Sequence, residues 1–336
     1  MTGGPDVSVV IPALDCERFI GAAIDSALGQ EGVRTEVLVI DDGSTDGTAE
    51  IVRGYGEPVR LLRTAAPRSG PGAARNVGLR HAAAPLIAFL DGDDIWLPGK
   101  LARQKRLLDG HPEVALVCAQ SISWYPEGTE APLPEARGGP DNDTPLDVAG
   151  WSYALLLMQP DAVWTTTVVV RRSLVERIGG FDETLRLGQD YEYWLRASRE
   201  TPVLRVARPL ALYRQHENNS THTAPRMRNY ELEIVERALA RWGRRGPDGT
   251  EVSKADLRRR IARLHFRMGY IHCWRGSPSV AVRAFCRSAL HNPWRWKAWA
   301  YIAVASGRSL WRAAGGTGFT SRSEPRNEPG PHHGRS

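Results

Sequence analysis

Cysteine is scarce. Four occur in 336 residues, Cys16, Cys118, Cys273 and Cys286, and no two form a C-x-x-C pair. Such scattered thiols argue against a disulfide framework or a cysteine zinc site and read as reduced core or surface thiols. Long apolar runs are missing too, and none approaches the roughly 18 residues of a membrane span. The first residues lack the basic and apolar segments of a secretory signal, because Asp6 leads straight into a strand pattern. No GxxxxGK[ST] segment occurs, so a P-loop site has no support. These absences point to a cytoplasmic protein, with peripheral work at the inner face of the cell membrane left open.

What is present is unevenly charged. The chain carries +6 overall, yet residues 225–336 hold 22 Lys and Arg against 8 Asp and Glu. A basic segment attracts nucleic acid, anionic lipid or a polyanionic acceptor, and it can equally be a solvated face. The length suggests about two domains.

The first hundred residues alternate strand and helix patterns. Apolar strands are expected at Val7–Ile11, Glu36–Ile40, Val59–Arg63 and Leu86–Leu90, with helical spacing over Cys16–Leu28 and Gly70–Ala84. Ser44 and Thr45 offer caps for a short helix through Ala49–Val52. This order implies a largely parallel sheet with ligands at the carboxyl ends of its strands. Residues 123–150 are rich in proline and glycine and read as a loop or insertion. Order resumes with a β-rich stretch at Trp164–Arg171, a helix at Ser173–Ile178, a helix from the Asp190 region through Ser198, and short strands at Val203–Val206 and Leu210–Tyr213. From about 225 the pattern is helical. There Gly269, Ala281, Phe285 and Pro293 match the small, aromatic and proline positions of a tetratricopeptide helix pair. The resulting division is a catalytic domain over 1–224, a helical region over 225–314 and a disordered tail over 315–336.

The segment Leu-Ile-Ala-Phe-Leu-Asp-Gly-Asp-Asp-Ile-Trp-Leu-Pro (86–98) carries the most chemistry. An apolar strand runs into Asp91, Asp93 and Asp94. If the strand continues, Asp91 and Asp93 share a face and can address one cation. Clustered oxygen ligands suit Mg²⁺ or Mn²⁺, and Mg²⁺ commonly binds substrate phosphates as well. A solvated acidic turn is the plain alternative. Asp41 and Asp42 end another strand, where they could accept from a nucleobase or ribose or simply cap a turn. Gly70–Gly78 puts Arg75 and Asn76 in the first turns of a helix, which favours anions, while close helix–sheet packing with a surface ion pair explains it equally. Asp190 precedes an apolar helix, as a general base or as its N-cap, two roles that can coexist. His216, beside Asn218, Asn219 and Ser220, could meet metal or phosphate, or be a plain surface histidine.

Seven segments in order resemble the GT-A glycosyltransferases of family 2: Val-Ser-Val-Val-Ile-Pro (7–12), Val-Ile-Asp-Asp-Gly-Ser-Thr-Asp-Gly-Thr (39–48), Gly-Ala-Ala-Arg-Asn-Val-Gly (72–78), Phe-Leu-Asp-Gly-Asp-Asp-Ile-Trp-Leu-Pro (89–98), Gly-Gly-Phe-Asp-Glu (179–183), Gln-Asp-Tyr-Glu-Tyr-Trp (189–194) and Tyr-Arg-Gln-His (213–216). The resemblance implies an α/β GT-A fold, Rossmann-like, with a mixed, mainly parallel sheet and a C-terminal α-helical extension. It implies a nucleoside pocket lined by Pro12 and Asp42 with Asp41 nearby, Arg75 approaching the base or diphosphate, a metal held by Asp93 with Asp91 and His216, and Asp190 as base. The expected activity is inverting transfer of one sugar from a nucleotide-sugar, a UDP-sugar in the leading reading, to a glycan or lipid-linked acceptor. Mg²⁺ or Mn²⁺ is the expected cofactor. The basic helical region would lie near anionic membrane, and no nucleic acid partner is expected. Many relatives have Glu-Asp where this chain has Gln189-Asp190, so a charge beside the base is missing. Processive relatives add membrane helices and Gln-x-x-Arg-Trp; Trp294-Arg295-Trp296 lacks the glutamine, with Asn292 in its place. An idle GT-A binding module and a nucleotidyltransferase are the competing readings.

Overall fold

The computed structural model describes residues 3–125, 145–217 and 227–313. Strands β1 (Val7–Ala13), β2 (Thr35–Asp41), β3 (Val59–Arg63) and β4 (Leu86–Phe89) form the expected parallel part of the sheet, in the order β3-β2-β1-β4. Most residues of β1 and β4 are apolar and buried on both faces, as strands covered on both sides require, whereas β3 at the sheet edge carries the exposed Arg60 and Arg63. On one face Val7, Val9, Ile11, Val37, Val39 and Ala88 pack with Ile20, Ala23, Ile24 and Ala27 of helix α1 (Ile20–Leu28). Each such buried aliphatic side chain contributes about 1.5–3 kcal/mol relative to exposure.

Helix α3 (Pro71–His81) covers the other face, and Gly78 explains how closely. A Cβ there would overlap the Val10 side chain and lie 3.1 Å from Ile40 Cδ1. The close-packing reading of the Gly70–Gly78 segment therefore holds for its last glycine.

Beyond β4 the sheet turns mixed. Strand β8 (Val169–Arg171) is antiparallel to β4 and to β6 (Leu116–Trp124), and β6 runs parallel to β9 (Val203–Arg214). Strands β5 (Ile95–Trp96) and β7 (Pro145–Gly150) add antiparallel to β9. The two short strands expected at Val203–Val206 and Leu210–Tyr213 are thus one strand. A register shift opposite Ala119–Ser121 absorbs the interruption around Pro209. The stretch read as β-rich from Trp164 begins instead with a 3₁₀ turn, Thr165–Thr167, and becomes strand only at Val169. The loop expected over 123–150 is shorter than that, because β6 runs through Trp124 and Pro145–Gly150 form β7; residues 126–144 lie outside the described residues.

Helices α2 (Thr48–Tyr55), α4 (Lys100–Gly110), α5 (Tyr153–Leu156), α6 (Arg172–Ile178) and α7 (Gln189–Glu200) complete the layers. Ser44 and Thr45 do not cap α2. Its first amide, Thr48 N–H, donates to Asp46 Oδ1 at 3.0 Å, because Ser44 and Thr45 are engaged by Asp15 of the β1–α1 loop.

The chain divides into two compact units, 1–223 with 233–253, and 224–232 with 254–336. The division differs from a single cut at 224 because residues 233–253 pack with the first unit. Tyr153 Oη donates to the Gly243 carbonyl at 2.8 Å, and Arg237 pairs with Asp182 at 3.1 Å. Helix α8 (Tyr230–Trp242) spans the division. The second unit contains α9 (Lys254–Arg275), α10 (Pro278–His291) and α11 (Trp296–Ala313), with α10 packed on both α9 and α11. The repeat-like spacing has a physical basis: a Cβ on Gly269 would reach 2.8 Å from the buried Phe285 ring. Among the described residues no helix is long and apolar enough to cross a membrane. The tail over 315–336 lies outside the described residues.

Candidate active site

The carboxyl ends of three parallel strands meet at one edge, with acidic residues at or just after the ends of two of them. Strand β1 ends Pro12-Ala13, and the Asp42 amide donates to the Ala13 carbonyl at 2.9 Å. Gly92 sits against the Pro12 carbonyl, where a Cβ would come within 3.1 Å. The ends of β1 and β2 and the acidic segment after β4 are therefore neighbours.

Asp41 and Asp42 are both buried, and both are engaged. Asp41 Oδ1 accepts from Ser44 N–H at 2.8 Å, and Oδ2 faces Arg63 at 3.6 Å. Asp42 Oδ1 accepts from the Thr64 hydroxyl at 2.7 Å and Ser69 N–H at 2.9 Å, while Oδ2 accepts from Gly70 N–H at 2.7 Å. Asp42 thus ties the loop after β3 to the start of α3. A carboxylate has about four lone-pair sites, so each keeps capacity for a ligand donor.

The acids after β4 are not on a strand. The strand stops at Phe89, and Asp94 N–H donates to the Asp91 carbonyl at 3.0 Å, closing a turn. The shared strand face expected for Asp91 and Asp93 therefore does not exist, and each takes its own partner. Asp91 Oδ1 accepts from Arg75 Nη2 at 2.6 Å. Asp93 Oδ2 lies 3.0 Å from His216 Nε2, across 123 positions of sequence. Asp94 is fully buried and accepts from the Arg214 amide at 3.0 Å, so it braces the end of β9. Burial, followed by repulsion from Asp93 and Asp91, holds the Asp94 carboxyl well above the usual range. Burial and the Asp91 charge raise Asp93 as well, against the opposing pull of His216.

Arg75 is buried rather than in a surface ion pair. Its guanidinium lies 5.6 Å from the Phe181 ring centroid, and its Nε and Nη1 have no hydrogen-bond partner among the described residues. Buried donors without acceptors are costly unless a ligand completes them. Its neighbour Asn76 clamps the Gly-Gly-Phe-Asp-Glu loop, donating to the Phe181 carbonyl at 2.9 Å and accepting from Phe181 N–H at 2.7 Å.

Asp190 lies in the first turn of α7, whose cap is Gly188, so it is not the N-cap. Its Oδ1 accepts from Tyr191 N–H at 2.8 Å. Its Oδ2 lies 3.3 Å from Thr165 Oγ1, which in turn accepts from Trp194 Nε1 at 3.1 Å. The next residue, Thr166, neighbours Asp94, so one 3₁₀ turn links the acidic turn to α7. Thr165 was not singled out from sequence; the run of three threonines was its only signal. Arg214 was likewise missed, although it precedes Gln215-His216. It donates from Nε to the Asp93 carbonyl at 2.8 Å, and its guanidinium stacks 4.4 Å from the Trp124 ring. The His216 ring packs tilted against Phe19, with centroids 4.7 Å apart. Asn218, Asn219 and Ser220 lie outside the described residues.

Among the described residues no three His, Cys, Asp or Glu side chains converge as a metal cluster. The expected trio of Asp91, Asp93 and His216 is divided, since Asp91 turns to Arg75. Asp93 with His216 remains an oxygen–nitrogen pair. That donor set fits a divalent cation that draws its other ligands from waters and substrate phosphates. The four cysteines are free; burial pushes the Cys16 thiol up to about 12, and its sulfur packs beside Gly92.

Residues 8–151 match the family described as Glycosyl transferase family 2. The succinoglycan biosynthesis protein ExoO of Rhizobium meliloti is 34% identical, over 56% of this chain and 54% of its own length. WfgD of Escherichia coli, a UDP-Glc:alpha-D-GlcNAc-diphosphoundecaprenol beta-1,3-glucosyltransferase, is 40% identical over 29% of this chain and 39% of its own. The match therefore spans about half of ExoO and less of WfgD. The crystal structure of S. aureus TarS in complex with UDP-GlcNAc superposes with a TM-score of 0.59 at 18% identity, covering 92% of each chain. The segment carrying the acidic strand ends and Arg75 is thus similar to glycosyltransferase family 2, on a fold of the GT-A type.

Proposed function

We propose that this chain transfers one sugar from a UDP-sugar to a hydroxyl of a lipid-linked or surface-glycan acceptor, inverting the anomeric centre. The observation that carries the reading is Arg75, a buried arginine paired to Asp91 with two further donors unpartnered. A diphosphate supplies the anionic acceptors such donors need. ExoO and WfgD act in polysaccharide synthesis or on a diphosphoundecaprenol-linked sugar by their names, and TarS holds UDP-GlcNAc; these support the donor and acceptor classes.

In this reading Pro12, Asp41 and Asp42 border the nucleoside, and Arg75 orients the diphosphate. Asp190 takes the proton from the acceptor hydroxyl as that oxygen bonds to the anomeric carbon and the bond to the nucleoside diphosphate breaks. Thr165 and the Tyr191 amide hold the Asp190 carboxylate in place. Asp93 and His216 would hold Mg²⁺ or Mn²⁺, which neutralises charge on a leaving diphosphate. The basic helical region lies beside an anionic membrane where a lipid-linked acceptor resides.

The test is incubation with UDP-, GDP- and TDP-sugars and Mn²⁺, with and without EDTA and a lipid-linked acceptor. Release of nucleoside diphosphate supports transfer. Release of pyrophosphate instead points to nucleotidyl transfer, and absence of both binding and turnover leaves the idle module as the better description.

A further inference from the structure

Helix α11 is apolar on two faces. Ala298 and Ala305 are buried toward the rest of its unit, with Tyr301 and Ile302 half-buried beside them. Trp296, Trp299, Ala303, Gly307 and Leu310 follow helical spacing on the opposite side, and all are exposed. Trp296 is 70% exposed and Leu310 73%. The turn before the helix adds Trp294 at 92%, and the end of α10 adds Leu290 at 80%. The end of α10, the turn after it and one face of α11 therefore expose a series of large apolar side chains.

The charge around this edge is of one sign. Residues 257–313 contain 12 Arg and Lys and no Asp or Glu. Arg283 and Arg287 are exposed and share the face of α10 that carries Leu290, and Lys297 is exposed in the first turn of α11. A protein-binding groove needs apolar area and no particular sign of charge. Exposed tryptophans interleaved with cations are instead suited to the headgroup layer, where the indole is half-apolar and the phosphates are negative. Residues 314–336 hold one large apolar side chain, Phe319, and so offer no matching apolar face.

We propose that the α10–α11 edge is a membrane-contact surface, seating Trp294, Trp296 and the α11 stripe in the headgroup layer of an anionic bilayer. The proposal gives a location to the membrane contact suggested for the basic region and rests on that reading.

Vesicle flotation of the full chain tests it without donor or acceptor. Phosphatidylcholine vesicles are compared with vesicles containing about one third phosphatidylglycerol. The chain should float with the anionic vesicles only, and added salt should weaken the binding. Trp294→Ala with Trp296→Ala should lower the partition coefficient about tenfold. Trp299 is kept because its Nε1 donates to the Pro293 carbonyl at 2.9 Å and holds the turn. Arg287→Glu with Lys297→Glu provides a second variant that alters charge and spares the aromatics, and it should weaken anionic binding similarly. Circular dichroism and nucleotide binding should be unchanged in both. Wild-type flotation that both variants retain overturns this surface and leaves the basic contact standing. No flotation of the wild type overturns both. A wild-type dimer lost in the tryptophan variant, with no flotation, shows that the edge meets a second copy instead.

Discussion

Arg75 Nη2 lies 2.6 Å from Asp91 Oδ1, joining the first turns of α3 to the turn that follows β4. The pair is asymmetric. The arginine side chain is 4% exposed and the aspartate 32%, so the cation is sunk and the anion is partly exposed. Arg75→Ala should lower turnover about 100-fold, chiefly through weaker donor binding. Arg75→Lys should recover little, since a lysine cannot supply a planar fork of donors. Steady-state nucleotide release with donor titration checks both. A near-normal KM for the donor in Arg75→Ala would remove Arg75 from the binding site.

Asp190→Asn should reduce turnover by about 10³-fold or more while UDP binding measured by calorimetry is kept. Thr165→Val removes the hydroxyl 3.3 Å from Asp190 and should cost about tenfold in kcat with little change in donor KM. Thr165→Ser should restore most of it. An equal loss in Thr165→Ser and Thr165→Val would indicate a packing role for the methyl group instead.

Gly78→Ala places a methyl group against Val10 and Ile40, both fully packed in the sheet. Overpacking of this kind costs about 1–3 kcal/mol. The expected result is a lower Tm with an unaltered site, read by calorimetry and UDP binding. An unchanged Tm would mean that α3 can move off the sheet without penalty.

His265 is buried in the second unit, and burial, then the nearby His291 and Arg287, lower its pKa from 6.5 to about 4. The unfolded chain therefore binds a proton between pH 6.5 and 4 that the folded unit refuses. Stability of this unit is fully present above pH 6.5 and declines as pH falls toward 4, with a slope of up to about 1.4 kcal/mol per pH unit for one proton. His265→Gln should flatten that slope in denaturant titrations followed by helical signal. The same slope in the variant would assign it to other groups.

Much of the first unit was legible because its strands are continuous apolar runs closed by acids. Such runs, Val7–Ile11 and Leu86–Leu90, report burial on both faces and need no partner to be recognised. The exceptions share a cause. Val203–Arg214 looked like two strands because Pro209 interrupts the pattern, and only the register shift against β6 shows how the ladder continues. Ser44 and Thr45 have the chemistry of caps, yet Asp15, thirty residues away, competes for them successfully. Local propensity cannot register a competitor that arrives by tertiary contact.

The sequence by itself determined the order of elements as far as β4, the parallel part of the sheet and the identity of the acids at its edge, since these follow from periodicity and from motifs in a fixed order, whereas β5, β6, β7 and α4 were not legible. Tertiary structure alone decided how those acids divide their work. Asp91 turns to Arg75, Asp93 to His216, and Asp94 disappears beneath the Arg214 amide. The reason is that a carboxylate's role depends on which donors reach it and how much water it loses, and the donors come from α3 and from the end of β9. The helical region shows the same limit. Its basic charge is plain in the sequence, whereas the exposed tryptophan edge exists only because α11 buries its other face.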